Sequence, residues 1–326
     1  MLSQTDNATF PESFFSGIVD QIDEKFVNKF NESPIPSLQH LIQINCRFVE
    51  PFYFGQFLRL VNGFNPYSIT EALSANQLKM GVSFFHFFTA VNTEYTSLQA
   101  AIAMSFSKIA LPNDEKALNI IFNSFIDSYR FFNPEIGYSS RDMFIIIVSS
   151  IICSIKNLGT SHYLNEELLK AIRGSSYGAK RMANIINQLD SHKFTVHFSF
   201  GQFEKFPALN KQGIIRKQKG FFSLKKSYFV KLEREWLSLY EEDSRISPVE
   251  QIQLAHTKTV DISSKKNGLC FQLSRIDEKD LIYYVPKKTP ENSITFHAEN
   301  ESDVQEWVAS LNLSSFCETL IALLKN

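Results

Sequence analysis

The segment His192-Lys193-Phe194-Thr195-Val196-His197-Phe198-Ser199-Phe200 divides this chain of 326 residues into halves of different periodicity. Within it Phe194, Val196, Phe198 and Phe200 alternate with polar residues, the two-residue period of extended backbone. It reads as an extended linker packed on a neighbour. Before it, apolar spacing is helical. Leu38, Leu41 and Ile42 recur at three and four, as do Leu118, Ile121, Phe122, Phe125 and Tyr129, so each set occupies one helix face. Pro112-Asn113-Asp114-Glu115 breaks one helix and caps the next, with acidic groups where the helix dipole favours them. Asn133-Pro134 ends that helix. Phe84, Phe85, Phe87 and Phe88 cluster around His86, which reads as core packing around an interior histidine.

After the divide, strand-like runs occupy 213–216, 227–232, 236–240, 252–254, 268–273, 281–285 and 293–297. Turns at short spacing separate them, the pattern of a small β-barrel or sandwich. A helix over 302–311 closes the chain. Ser302 and Asp303 cap it, and Val304, Trp307, Val308 and Leu311 form its apolar face.

Hydrophobic residues make up 44% and charged residues 21%, which excludes a wholly disordered chain. Lys+Arg is 33 and Asp+Glu is 34, so the global positive charge of a nucleic-acid binder is absent. Only 12 glycines occur, and no phosphate-cradling or dinucleotide motif. Cys46, Cys153, Cys270 and Cys317 are scattered without CxxC spacing, and the histidines form no HxxxH or HExxH pattern, so no metal or other cofactor is expected. No nucleophile elbow appears, and hydrolytic or transferase chemistry is not expected. The apolar run 143–155 is shorter than the roughly 20 residues a bilayer span needs and reads as a buried helix. Met1 to Asp6 shows neither a signal-peptide nor a lipidation pattern, so a cytoplasmic protein is expected.

Two stretches resemble known modules. Residues 211–313 look like a pleckstrin-homology (PH) domain. The resemblance rests on Lys211-Gln212-Gly213-Ile214-Ile215-Arg216-Lys217, Lys225-Lys226-Ser227-Tyr228-Phe229-Val230, Trp236-Leu237-Ser238-Leu239-Tyr240-Glu241 and the lone helical Trp307 near the end. Residues 12–190 are similar to a Sec7 domain, the exchange module for Arf-family GTPases. That match rests on Lys29-Phe30-Asn31, Leu38-Gln39-His40-Leu41-Ile42, Gly63-Phe64-Asn65-Pro66-Tyr67-Ser68-Ile69, Ala110-Leu111-Pro112, Phe125-Ile126-Asp127-Ser128-Tyr129 with Asn133-Pro134, and Ile172-Arg173-Gly174. The order of the two modules resembles cytohesin-like exchange factors. The resemblance implies an all-helical superhelix over 12–192, a linker over 193–209, and a seven-stranded barrel capped by a C-terminal helix over 210–326.

It also implies an exchange mechanism. In the Sec7 family a glutamate at the edge of an apolar groove repels the nucleotide's β-phosphate and displaces Mg²⁺. Like charges at 4 Å repel by about 4 kcal/mol at an effective dielectric of about 20, and only an ionised carboxylate does this. Against the family's aromatic-Leu-Gly-Glu, this chain has Ala72-Leu73-Ser74-Ala75. Ala75 stands at the glutamate position, so impaired exchange is expected, with Glu71 four residues earlier as the substitute carboxylate. Cys153-Ser154-Ile155-Lys156-Asn157 replaces a second polar motif behind a retained apolar helix. The groove expected for the GTPase therefore comprises Ser74, Ala75, Phe144, Ser154, Lys156 and Asn157. The alternative is a non-catalytic adaptor that binds a GTPase or lipid.

From Lys211 to Lys231 the chain has seven cations and no Asp or Glu. Such a block draws anionic membrane, at about 1 kcal/mol per cation near the surface. The resemblance places the phosphoinositide ligands at Lys217, Lys219, Lys225 and Lys226. Ser227 stands where tight binders carry Arg. Gly220-Phe221-Phe222 lies beside these cations, and the loop reads equally as an aromatic pair that dips into lipid or as one that folds its Phe residues onto the barrel. The resulting expectation is a cytoplasmic, peripheral-membrane regulator of vesicle traffic whose partners are an Arf-family GTPase and an anionic lipid surface.

Overall fold

The structure, a computed structural model, describes residues 22–75, 77–156, 162–175, 177–188, 194–201, 209–219, 224–233, 235–242, 245–266, 268–275 and 293–325. The helical half comprises α1 (Glu24–Glu32), α2 (Pro34–Ile44), α3 (Pro51–Leu60), α4 (Pro66–Ser74), α5 (Met80–Thr89), α6 (Leu98–Phe106), a two-residue strand β1 (Ala110–Leu111), α7 (Glu115–Phe132), α8 (Ser140–Lys156), α9 (His162–Arg173) and α10 (Ala179–Gln188).

Two of the motifs singled out in the sequence meet here. The Asn31 side chain donates to the Gly63 carbonyl at 2.9 Å and accepts from the Asn65 N–H at 2.8 Å. Asn65 in turn caps α4 through the Ser68 N–H at 2.7 Å, with Pro66 in the first turn. Gly63 has φ +91°, a conformation that needs glycine. Beneath this turn the Phe30 and Phe64 rings stand 4.2 Å apart. Asp114 caps α7 by accepting from the Ala117 N–H at 2.9 Å. Many of the phenylalanines have a plain use: Phe88, Phe106, Phe122, Phe125 and Phe144 form a chain of edge and tilted contacts at 5.3–5.9 Å through the core. The run at 143–155 is almost wholly buried within α8, as expected of a core helix.

The sheet half follows β2 (His197–Phe198). It comprises β3 (Gln212–Lys219), β4 (Leu224–Glu233), β5 (Trp236–Glu241), β6 (Glu250–Gln253), β7 (Thr257–Asp261), the single-turn α11 (Ser263–Lys266), β8 (Cys270–Arg275), β9 (Ser293–His297) and α12 (Glu301–Lys325). The order is β6-β5-β4-β3-β9-β8-β7, with every pairing antiparallel. Ile215, Tyr228, Val230, Leu239, Phe271 and Phe296 face a core covered by Val304, Trp307 and Leu311 of α12.

Three expectations change. The expected closed barrel is an open sheet among the described residues, because the end strands β6 and β7 share no ladder. The backbone of β7 is met instead by α12: the Asn312 side chain accepts from the Thr259 N–H and donates to the Thr259 carbonyl, both at 2.8 Å. The seventh strand is Thr257–Asp261, absent from the sequence reading, whereas the expected strand at 281–285 lies outside the described residues. The closing helix does not stop at Leu311 but runs 25 residues to Lys325. No Gly or Pro interrupts it, and Leu313, Phe316, Cys317, Leu320, Ile321, Leu323 and Leu324 join the core of the helical half. By length and composition α12 resembles a membrane span, yet 78% of its apolar window is buried within the fold. Its apolarity on all sides is that of a helix enclosed by protein.

The extended segment after α10 packs as expected. β2 pairs in parallel with β1, with His197 opposite Ala110 and Phe198 opposite Leu111. The Phe198 and Phe200 rings lie 5.0 Å and 5.7 Å from Phe316 of α12.

Candidate functional site

The furrow between α7 and α8 holds a cavity of about 410 Å³. Glu115, Asn119, Arg141 and Phe144 line it together with Leu323 of α12. Phe144 is buried, with the Phe122 ring at 5.3 Å behind it and the Arg141 guanidinium 6.0 Å over its face. Arg141 also donates to the carbonyl oxygens of Leu323 and Leu324, the open C-terminal groups of α12. A second cavity of about 510 Å³ lies on the far side of this contact, lined by Arg141, Lys170, Gly174, Leu324 and Lys325.

The expected groove residues are distributed unevenly around this furrow. Phe144 lines the cavity; Ser74, Ala75 and Glu71 do not. Ala75 is exposed at the end of α4, where its N–H bonds the Ala72 carbonyl at 3.2 Å. Ser74 is buried, and its hydroxyl has no partner among the described residues. Burial pushes the Glu71 carboxyl above the usual carboxylate range, which works against the ionised form. Ser154, on α8, is covered by the linker: the Phe194 N–H donates to its hydroxyl at 3.4 Å. Three residues on, His197 stands edge-on to Tyr67 of α4 at 6.2 Å. Asn157 and the Lys156 side chain lie outside the described residues.

The sequence reading missed the groups that the furrow does offer. By sequence Asp114 and Glu115 read only as a cap. In the fold they bring two carboxylates to the start of α7, and Glu115 reaches the cavity wall while Asp114 is engaged as the helix cap. Their order directly after Ala110-Leu111-Pro112, a stretch already matched to the family, was the available signal.

On the sheet, most of the basic block is neutralised. Lys217, only 13% exposed at its side chain, is ion-paired to Glu250, and Lys231 is paired to Glu233. Lys226 bonds Glu241 at 2.8 Å, a contact that raises its pKa. Lys211 bonds Glu306 at 2.7 Å and Asp303 at 3.2 Å while lying 5.1 Å over the Trp307 ring. Apart from Glu233, those acids lie 15 or more residues along the chain from their lysines, beyond a local count of charge. Lys225 and Arg216 are exposed and form no ion pair among the described residues. Lys217 and Lys226 face each other across β3 and β4, whereas Arg216 is opposite Ser227. A dent of about 410 Å³ lies around Arg216, Ser227, His297 and Glu299. The Lys219 side chain and the loop Gly220-Phe221-Phe222 lie outside the described residues. No cluster of His, Cys, Asp and Glu suited to a metal occurs among the described residues.

Comparison with known families matches residues 5–176 to the Sec7 domain and residues 209–316 to the PH domain. Among solved structures, the Sec7p catalytic domain aligns at 15% identity over 52% of this chain and 94% of that chain, with a TM-score of 0.44. The carboxyl-terminal PH domain of pleckstrin aligns at 18% identity over 32% of this chain and 95% of that one, with a TM-score of 0.26. The PH domain of human oxysterol binding protein-related protein 11 aligns at 18% identity over 32% and 79%, also with a TM-score of 0.26. A search of curated proteins gave no match.

Proposed function

Since the chain belongs to the Sec7 family and its Sec7 domain is followed by a PH domain, we propose that it regulates Arf-family small GTPases at a membrane surface as an exchange-factor-type protein with impaired exchange. A Sec7 domain implies exchange-factor-type function toward Arf-family GTPases, and a PH domain implies lipid binding. The observation that carries the impairment is the chain's cover over its own groove. The Phe194 N–H of the linker donates to the Ser154 hydroxyl at 3.4 Å, and Leu323 of α12 lines the cavity beside Phe144. A GTPase switch segment entering there competes with side chains already in place.

The charge argument points the same way. Ala75 has no carboxylate, and burial disfavours the ionised form of Glu71. The carboxylate at the cavity wall is Glu115. Within this reading Phe144, Ser154, Lys156 and Asn157 line the GTPase side, Ser74 and Ala75 lie at its edge, and Glu115 supplies whatever charge reaches the nucleotide. Lys225 and Lys219, with Lys217 and Lys226 once their acids are displaced, meet an anionic headgroup. The protein then works as a peripheral cytoplasmic component of vesicle traffic.

Release of a fluorescent GDP analogue from several Arf-family GTPases, measured beside a binding assay, tests this. The expected result is binding with weak acceleration that Glu115→Gln abolishes. Acceleration typical of an efficient exchange factor refutes the impairment. Binding with no acceleration favours the adaptor reading, which the uncharged Ala75 supports. Absence of binding to every GTPase tried removes both.

A further inference from the structure

We infer that α12 makes the helical and sheet halves one cooperative folding unit, so that neither half melts without the other. The helix serves two cores in succession. Val304, Trp307 and Leu311 belong to the core of the sheet, and from Leu313 onward the apolar side chains belong to the core of the helical half. Phe316 and Leu320 have no exposed surface, and Leu324 has 5%. With no Gly or Pro between Glu301 and Lys325, there is no hinge at which the second part can swing away.

A buried polar clamp fixes the same junction. The Asn113 amide, from the turn before α7, donates to the Ser315 hydroxyl at 2.9 Å and to the Thr257 carbonyl at 3.3 Å. Thr319 donates back to the Asn113 oxygen at 2.8 Å. Ser315 donates to the Thr257 carbonyl at 2.9 Å, and Asn312 holds Thr259 at both backbone groups. One helix, one edge strand and the turn carrying Asp114 and Glu115 thus share a single network. Withdrawing α12 exposes a row of leucines and leaves several buried donors and acceptors unpaired, each a separate cost. Arg141 secures the far end at the Leu323 and Leu324 carbonyls. The last helix is therefore an internal member of the helical half rather than a strap laid over it.

Both tryptophans, Trp236 and Trp307, lie in the sheet half, so their fluorescence reports that half, while circular dichroism at 222 nm reports mainly the helices. Leu58→Ala, on α3 and fully buried in the helical core, is made in the full chain. Thermal unfolding is then followed by both signals. One unit predicts that the two midpoints fall together, by about 3–7 °C for a buried Leu→Ala in a chain this long. A tryptophan midpoint that stays at the wild-type value while the helical signal drops overturns the inference. Ile102→Val, a milder change at another fully buried site, carries the same measurement if Leu58→Ala does not fold. A second readout uses Cys317, buried in α12 with its thiol pKa pushed up by that burial. In a Cys46→Ser background its alkylation is expected to be no faster than global unfolding. Rapid labelling at Cys317 with the tryptophan signal intact shows that the second part of α12 leaves the helical core on its own, and overturns the inference.

Discussion

Replacing Asn312 by alanine tests the link between the sheet edge and the last helix most directly. Asn312 is 1% exposed and Thr259 3%. Its side chain is the partner of the Thr259 N–H and carbonyl, each at 2.8 Å. Alanine leaves two buried backbone groups unpaired at about 1–3 kcal/mol each, and water entering the vacated space restores part of that, so about 3 kcal/mol is expected. At roughly 2.1 cal/mol/K per residue, this lowers the melting midpoint by about 4 °C if the whole chain melts together and by about 12 °C if the sheet half melts alone. Scanning calorimetry read beside tryptophan fluorescence separates the two cases. Gln305→Ala, on the exposed side of the same helix, is the control and stays within about 0.5 kcal/mol. A shift for Asn312→Ala no larger than that of the control refutes the reasoning, because the two bonds would then contribute nothing that water does not replace.

Three further outcomes follow from the geometry. Gly55→Ala places a Cβ 2.6 Å from the Ser83 carbonyl and 2.7 Å from the Phe87 nitrogen, both backbone atoms of α5. The helices must part, so a net loss of about 2 kcal/mol is expected despite alanine's better helix propensity; an unchanged denaturant midpoint contradicts it. Burial holds the His86 and His197 pKa values below 6.5. The unfolded chain therefore binds more protons, and the stability present above about pH 6.5 is lost as pH falls through the folded values. His86→Gln should lose less stability than wild type between pH 7.5 and 5, and parallel profiles would count against it. Glu250→Gln frees Lys217 and is expected to raise binding to phosphoinositide vesicles about fivefold in flotation, the gain from one more cation at the surface. Unaltered flotation excludes Lys217 from the lipid face.

What the sequence by itself determined is local. The change of period at Phe194 to Phe200, the Asp114 cap of α7, the end of α7 at Asn133-Pro134 and the apolar α8 all depend on residues within a few positions of one another, and each stands in the fold as read. The family motifs are legible for a related reason: the Asn31 amide bonds the Gly63 carbonyl in a turn whose positive φ favours glycine. The tertiary structure decided which surfaces meet. Leu313 to Leu324 are equally apolar whether a helix stops at Leu311 or continues into a second core, and only the closed chain places them against α8 and α9. The strand at Thr257–Asp261 carries too few apolar residues to announce itself and has Asn312, 53 positions later, as a backbone partner. Lys217 looks free until Glu250, 33 residues on, arrives beside it. Periodicity records what neighbours along the chain prefer. Ion pairs, buried polar clamps and shared cores depend on distances between residues far apart in sequence, and those exist only once the chain has closed.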